Sequence, residues 1–94
     1  MDKILNFING EVVAPIGDQW IKNYEPATGK VYSLIPDSDE RDIEKAYKAA
    51  KAAFPAWSDT DINERSAILL RIAEGIERRL DELALAESID NGKP

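Results

Sequence analysis

The chain has 94 residues, 44% hydrophobic and 32% charged, which excludes a disordered, collagen-like or membrane-spanning polypeptide. It has no cysteine and no histidine, so disulfides, thiolate nucleophiles, thiolate metal sites and the commonest general base are all missing. Eighteen acidic against twelve basic side chains give a net charge of −6, the wrong sign for nucleic-acid backbones or anionic lipid. The expected partners therefore include neither nucleic acid nor membrane. At the front, Met1-Asp2-Lys3 leads into a few apolar residues interrupted by Asn6, far short of a signal peptide. The expected location is cytoplasmic.

The first 36 residues read as two β-hairpins. Ile4 to Ile8 is nearly continuous apolar chain, and Asn9-Gly10 follows with the two residues that a type I′ turn demands. Glu11-Val12-Val13 makes the return strand, stopped by Pro15. A loop through Gly17 and Asp18 leads to a strand over Gln19–Glu25. Pro26-Ala27-Thr28-Gly29 places proline at the second position of a turn and glycine at its left-handed exit, and Val31 to Ile35 pairs back before Pro36.

Residues 37–94 change to a helical period. Asp37-Ser38-Asp39-Glu40 supplies caps and acids at a helix start, where unpaired amides favour negative charge. Ile43, Ala46, Tyr47, Ala50 and Phe54 then fall on one stripe, and Phe54-Pro55 is expected to close the helix. A second helix opens near Asp61, with Glu64 placed as in a capping box. It carries Ile68, Leu69, Ile72, Ala73, Ile76 and Leu80, and Gly75 in its middle suggests a close packing contact. Asp81 is the expected cap of a third segment through Leu83, Ala86 and Ile89, which Asn91-Gly92 ends. The fold class is α+β: two hairpins, then two to three helices. Few strands are available to cover the apolar stripes, which points to a piece of something larger.

The charged clusters carry little chemistry. Asp37, Asp39, Glu40, Asp42 and Glu44 lack the alternation and bend glycine of a calcium loop and read as a helix start in water. Asp81 and Glu82 are adjacent on a helix and point apart, so they are not an acid–base pair. Gly29-Lys30 lacks the glycine spacing and following hydroxyl of a phosphate loop. Arg78-Arg79 reads as helix-surface charge. Asp90 is less ordinary, because an acid in a last helical turn opposes the helix dipole.

Four motifs occur in order: Phe7-Ile8-Asn9-Gly10-Glu11, Glu25-Pro26-Ala27-Thr28-Gly29, Ala49-Ala50-Lys51-Ala52-Ala53-Phe54 and Asp90-Asn91-Gly92-Lys93-Pro94. With the Arg65–Ile76 helix between them, the chain resembles the N-terminal quarter of the NAD(P)-dependent aldehyde dehydrogenase superfamily. The wording around Ser33–Ser38 and Phe54–Trp57 is most similar to the hydroxymuconic/aminomuconic semialdehyde branch. The resemblance implies that residues 1–94 are the N-terminal portion of a Rossmann-like α/β coenzyme domain. It implies a parent enzyme that oxidises an aldehyde substrate to a carboxylic acid with NAD or NADP and assembles as a homo-oligomer. Its catalytic cysteine and glutamate, its coenzyme-holding groups and its oligomerisation arm lie beyond the part that matches. The segment alone is then expected to hold no cofactor, to be inactive and to self-associate. One site carries over: Asp90 matches a carboxylate of a structural monovalent-cation site, to which Asn23 and Tyr24 would lend backbone carbonyls. The competing reading is a self-standing, non-catalytic α+β module that binds a protein partner through its apolar stripes.

Overall fold

The computed structural model describes Asp2 to Pro94. The chain opens with a two-residue strand, β1 (Asp2–Lys3), running parallel to the strand at residues 30–36. The sequence reading missed it, because two polar residues carry no strand pattern. What holds it is tertiary: the Ile4 N–H donates to the Leu34 carbonyl at 2.9 Å, and the Lys3 ammonium lies 4.6 Å from the Trp20 ring centroid. Ile4 and Leu5 then carry the chain across to a second sheet, so the expected strand from Ile4 is split.

That second sheet is the hairpin of β2 (Asn6–Ile8) and β3 (Glu11–Val13). Its turn is as expected, since Asn9 and Gly10 have φ of 54° and 76°. Both values lie in the left-handed region that a type I′ turn requires. The first sheet is completed by β4 (Trp20–Glu25) and β5 (Lys30–Pro36), in the order β1-β5-β4. The Glu25 carbonyl accepts from both Thr28 N–H and Gly29 N–H across the Pro26 turn. Asn23 pairs with Ser33 and Tyr24 with Val31, so Tyr32 is an extra residue on β5, a β-bulge.

Helix α1 (Glu40–Ser58) starts on a reciprocal capping box, in which Asp39 accepts from the backbone and Asp42 returns a bond to the Asp39 N–H. Proline does not close it at Phe54. Pro55 lies inside the helix, where its missing N–H leaves the Lys51 carbonyl without that donor, and two hydroxyls bond carbonyls of the last turn. Ser58 Oγ donates to the Pro55 carbonyl at 2.9 Å and Thr60 Oγ1 to the Ala56 carbonyl at 3.0 Å. Helix α2 (Ile62–Arg78) is capped by Asp61, whose carboxylate accepts from Asn63 N–H at 3.0 Å. The expected reciprocal partner Glu64 takes no part in that cap. Gly75 has no packing neighbour either: only the Arg78 guanidinium, at 3.8 Å, approaches where its Cβ would lie.

Helix α3 (Leu80–Asn91) begins after a single non-helical residue, Arg79, and not at an Asp81 cap. Arg79 instead bonds forward to Glu82, at 2.6 and 2.9 Å, which satisfies the junction by charge and leaves Asp81 inside the first turn. At the other end Gly92 has φ of 76° and closes the helix as expected. A Cβ there would sit 3.3 Å from Pro26 Cβ, so α3 ends hard against the β4–β5 turn.

The resulting body is a slab of 47 × 35 × 16 Å with a radius of gyration of 16.8 Å. A compact chain of this length has a radius of roughly 12 Å. Its accessible surface is 7570 Å². A compact monomer of this mass exposes roughly 5,400 Å², so the surplus is about 2,100 Å². Among the described apolar side chains of the core, Ile8 alone is buried, at 8% exposure. Phe7, Ile43, Phe54 and Leu69 are each about two-thirds exposed or more. The helices form from their own caps and propensities, but their apolar stripes face outward.

Candidate functional site

Asp90 is brought to the sheet by the docking of the last turn of α3 on the β4–β5 hairpin. Its Oδ1 accepts two hydrogen bonds, from the Tyr32 hydroxyl at 2.5 Å and from Asn23 Nδ2 at 3.1 Å. The Asn23 amide also reaches the Tyr32 hydroxyl at 3.0 Å and Ser33 Oγ at 3.1 Å. Ser33 is 2% exposed, the most buried polar residue of the chain's described part. The β5 bulge explains the convergence. Without it, alternation would send Tyr32 and Ser33 to opposite faces; the extra residue re-aims Tyr32 so that both reach the Asn23 amide.

The charges follow from these bonds. The Tyr32 hydroxyl, then the Asn23 amide, hold the Asp90 carboxyl below the usual carboxylate range. The same Asp90 bond, reinforced by partial desolvation and by the negative charge, pushes the Tyr32 phenol above its ordinary value. The penalty of an acid at a helix C-terminus is thus offset by two donors from the sheet.

The three expected cation-site residues are distributed as follows. Asp90 and Asn23 meet, but through the Asn23 side-chain amide. Tyr24 is 53% exposed and sits one residue beyond the bulge. Tyr32 and Ser33 belong to the cluster and were missed by sequence reading. The strand pattern gave no sign of the bulge, which alone makes Tyr32 a neighbour of Asp90.

A second polar cluster was also missed. Asp42 was grouped with the solvated acids of the α1 start, yet it is 4% exposed. Its Oδ1 accepts from Ile16 N–H at 2.9 Å and its Oδ2 from Asp39 N–H at 3.0 Å. It ties the β3–β4 loop to the helix cap across 26 residues. Beside it, the Arg41 guanidinium lies 2.8 Å from Asp39 and holds that exposed carboxyl below its ordinary range.

Neither cluster has the parts of a reaction centre. In each, a carboxylate accepts two hydrogen bonds: Asp42 from two backbone N–H groups and Asp90, on Oδ1 alone, from Tyr32 and Asn23. Among the described residues no group of three or more acids could hold a metal ion, and no helix is long and apolar enough to cross a membrane. What the two carboxylates do is join elements: Asp42 fixes α1 to the front loops, and Asp90 fixes α3 to the sheet.

The described residues combine internal clasps with outward apolar faces. The model of the aldehyde dehydrogenase family matches residues 13–94, and the chain belongs to that family. It is 47% identical over 89 residues to an aldehyde dehydrogenase of Deinococcus radiodurans, covering 95% of this chain and 17% of the relative. It is also 47% identical over 88 residues to the 2-aminomuconic semialdehyde dehydrogenase of Mus musculus, covering 94% and 18%. The NAD+ complex of aldehyde dehydrogenase from Bacillus cereus superposes with a TM-score of 0.93 at 40% identity, over 99% of this chain and 19% of that one. The chain therefore spans about a fifth of the length of the relatives it matches.

Proposed function

We propose that these 94 residues are the N-terminal structural portion of the coenzyme-binding domain of an NAD(P)-dependent aldehyde dehydrogenase. The whole enzyme would oxidise an aldehyde to a carboxylic acid in the cytoplasm, as a homo-oligomer. The carrying observation is the combination of the family match over residues 13–94 with about 2,100 Å² of surplus surface. Such a surface suits a segment whose helices pack against further chain. That the Bacillus cereus relative was solved with NAD+ supports NAD as the coenzyme of the whole enzyme.

The segment's own contribution is mechanical. Covalent aldehyde chemistry in this family resemblance runs through a cysteine, and the chain has none. Asp42 and Asp90 are engaged in clasps, and the sequence offers no glycine-rich phosphate cradle. The experiment is direct: incubate the chain with aldehydes and NAD or NADP and follow nicotinamide absorbance. No turnover is expected, and turnover above a no-protein control refutes the proposal.

The cation site remains part of this reading, with a restriction set by the geometry. Asp90 is held ionised, and its Oδ2 accepts no bond from the described residues. Asn23, however, turns its amide nitrogen toward Asp90, so its side chain repels a cation and only its carbonyl could serve. The ligands proposed are thus one Asp90 oxygen and the carbonyls of Asn23 and Tyr24. A hard monovalent cation suits that all-oxygen set.

A further inference from the structure

We infer that Asn9 is a site of spontaneous covalent modification by water, to aspartate and isoaspartate, and that the fold protects a second Asn-Gly pair, Asn91-Gly92, from the same reaction. Bonds and spacing inside the described residues carry this assignment, whatever covers the outer apolar faces, and nothing in it needs the family.

The chemistry needs an asparagine side chain and the backbone nitrogen that follows it. The Gly10 nitrogen attacks Cγ of Asn9; an N–Cγ bond forms, the Cγ–Nδ2 bond breaks, and the Gly10 amide proton leaves with Nδ2 as ammonia. Water then opens the five-membered imide at either carbonyl. The net exchange is water for ammonia, with a negative charge gained and no oxidant or reductant. Glycine in the following position favours the ring, because no Cβ crowds it.

The same dipeptide occurs at positions 91–92, and three observations separate the two. The first is the attacking nitrogen. The Gly92 N–H donates to the Ser88 carbonyl at 2.9 Å, whereas the Gly10 N–H has no acceptor among the described residues. A two-residue type I′ turn leaves that group unpaired. The second is the side chain under attack. Asn91 Oδ1 accepts from the Lys93 N–H at 2.8 Å and its Nδ2 donates to the Glu87 carboxylate. The Asn9 side chain makes no hydrogen bond to the described residues. The third is room. A Cβ at Gly92 would lie 3.3 Å from Pro26 Cβ, while at Gly10 nothing lies within 4 Å.

The surroundings act in the same direction. The strands β2 and β3 form a two-stranded sheet of three residues each, and such a hairpin opens easily. The end of α3 is held to the sheet by the bonds from Tyr32 and Asn23 to Asp90. Isoaspartate adds a carbon to the main chain of a turn whose two residues set the register, so the reaction at Asn9 unpairs β2 from β3.

The test incubates the intact chain in mildly alkaline buffer, where the attacking nitrogen loses its proton more readily. Proteolytic mapping by mass and chromatography then follows aspartate and isoaspartate at both positions. In the folded chain Asn9 should convert about tenfold or more faster than Asn91, where three hydrogen bonds must open first. In concentrated urea the two should convert at similar rates. Glu87→Ala, at an exposed helix position, should speed Asn91 and leave Asn9 unchanged. Equal rates in the folded chain, a contrast that survives in urea, or no acceleration by Glu87→Ala overturns the inference.

Discussion

Replacing Asp42 with alanine tests whether one buried carboxylate joins the two halves of this segment. It is 4% exposed and accepts from two backbone N–H groups, Ile16 at 2.9 Å and Asp39 at 3.0 Å. Hydrogen bonds to a charged acceptor contribute about 1.5–3 kcal/mol each, and a buried donor left without a partner adds to the loss. Taking the lower end for both bonds, Asp42→Ala should cost roughly 3 kcal/mol, a large part of the stability of a small domain. Asp42→Asn keeps one acceptor and should cost roughly half as much. The control is Glu44→Ala, an exposed residue 3.6 Å from Lys48. An exposed i,i+4 pair is worth about 0.5 kcal/mol or less. Urea unfolding followed by circular dichroism, at one fixed protein concentration because association raises apparent stability, measures all three. If Asp42→Ala and Glu44→Ala shift the midpoint equally, Asp42 is a solvated helix acid after all and the assigned bonds do not hold in solution.

Four further outcomes are expected. Because the folded-state pKa of Asp90 is depressed, its contribution is present above the ordinary carboxylate range and is lost as pH falls through that range and below. Asp90→Asn should therefore flatten the acid limb of a stability-against-pH curve; an unchanged limb removes the clasp from the account. Tyr32 should ionise late in an ultraviolet titration at high pH, and Tyr32→Phe should abolish that late component. Gly75→Ala should stabilise the chain by about 1 kcal/mol, since only a mobile guanidinium tip approaches the added methyl; a loss of stability would show that α2 is covered there. In a full-length relative carrying this segment, potassium or sodium at constant ionic strength should raise the melting temperature, and Asp90→Ala should remove the gain.

Local chemistry made several parts of this fold readable. Asn9-Gly10 and Gly92 each demanded a left-handed backbone, and each has one. The hairpin partners, the Asp39 cap and the three helices followed from patterns within a few residues. What escaped were features decided by partners far along the chain. Asp2-Lys3 is a strand because Ser33 and Leu34 are there to pair with it, not because of its own residues. Asp42 is buried because Ile16, 26 residues away, brings a free N–H to it. Tyr32 reaches Asp90 through a bulge that adds one residue to β5 while leaving the apolar alternation nearly intact. Pro55 misled in a different way: the helix runs through it to Ser58, at the cost of one N–H donor to the Lys51 carbonyl, and the Ser58 and Thr60 hydroxyls bond carbonyls of the final turn beyond it. Asp90 stood out in the sequence as an acid at a helix end, but the Asn23 side-chain amide and the Tyr32 hydroxyl that bond to it did not.

The central claim is that this chain is a scaffold segment whose outward faces are made to be covered by the rest of an aldehyde dehydrogenase. The most direct measurement replaces the matching first fifth of the Deinococcus radiodurans relative with these residues, at 47% identity over 89 positions, and assays aldehyde-dependent NAD reduction. The account predicts a soluble chimera with activity within a few-fold of the intact relative, and insoluble or inactive protein when Phe54→Asp is added. A soluble, folded chimera without activity, or one indifferent to Phe54→Asp, would contradict it.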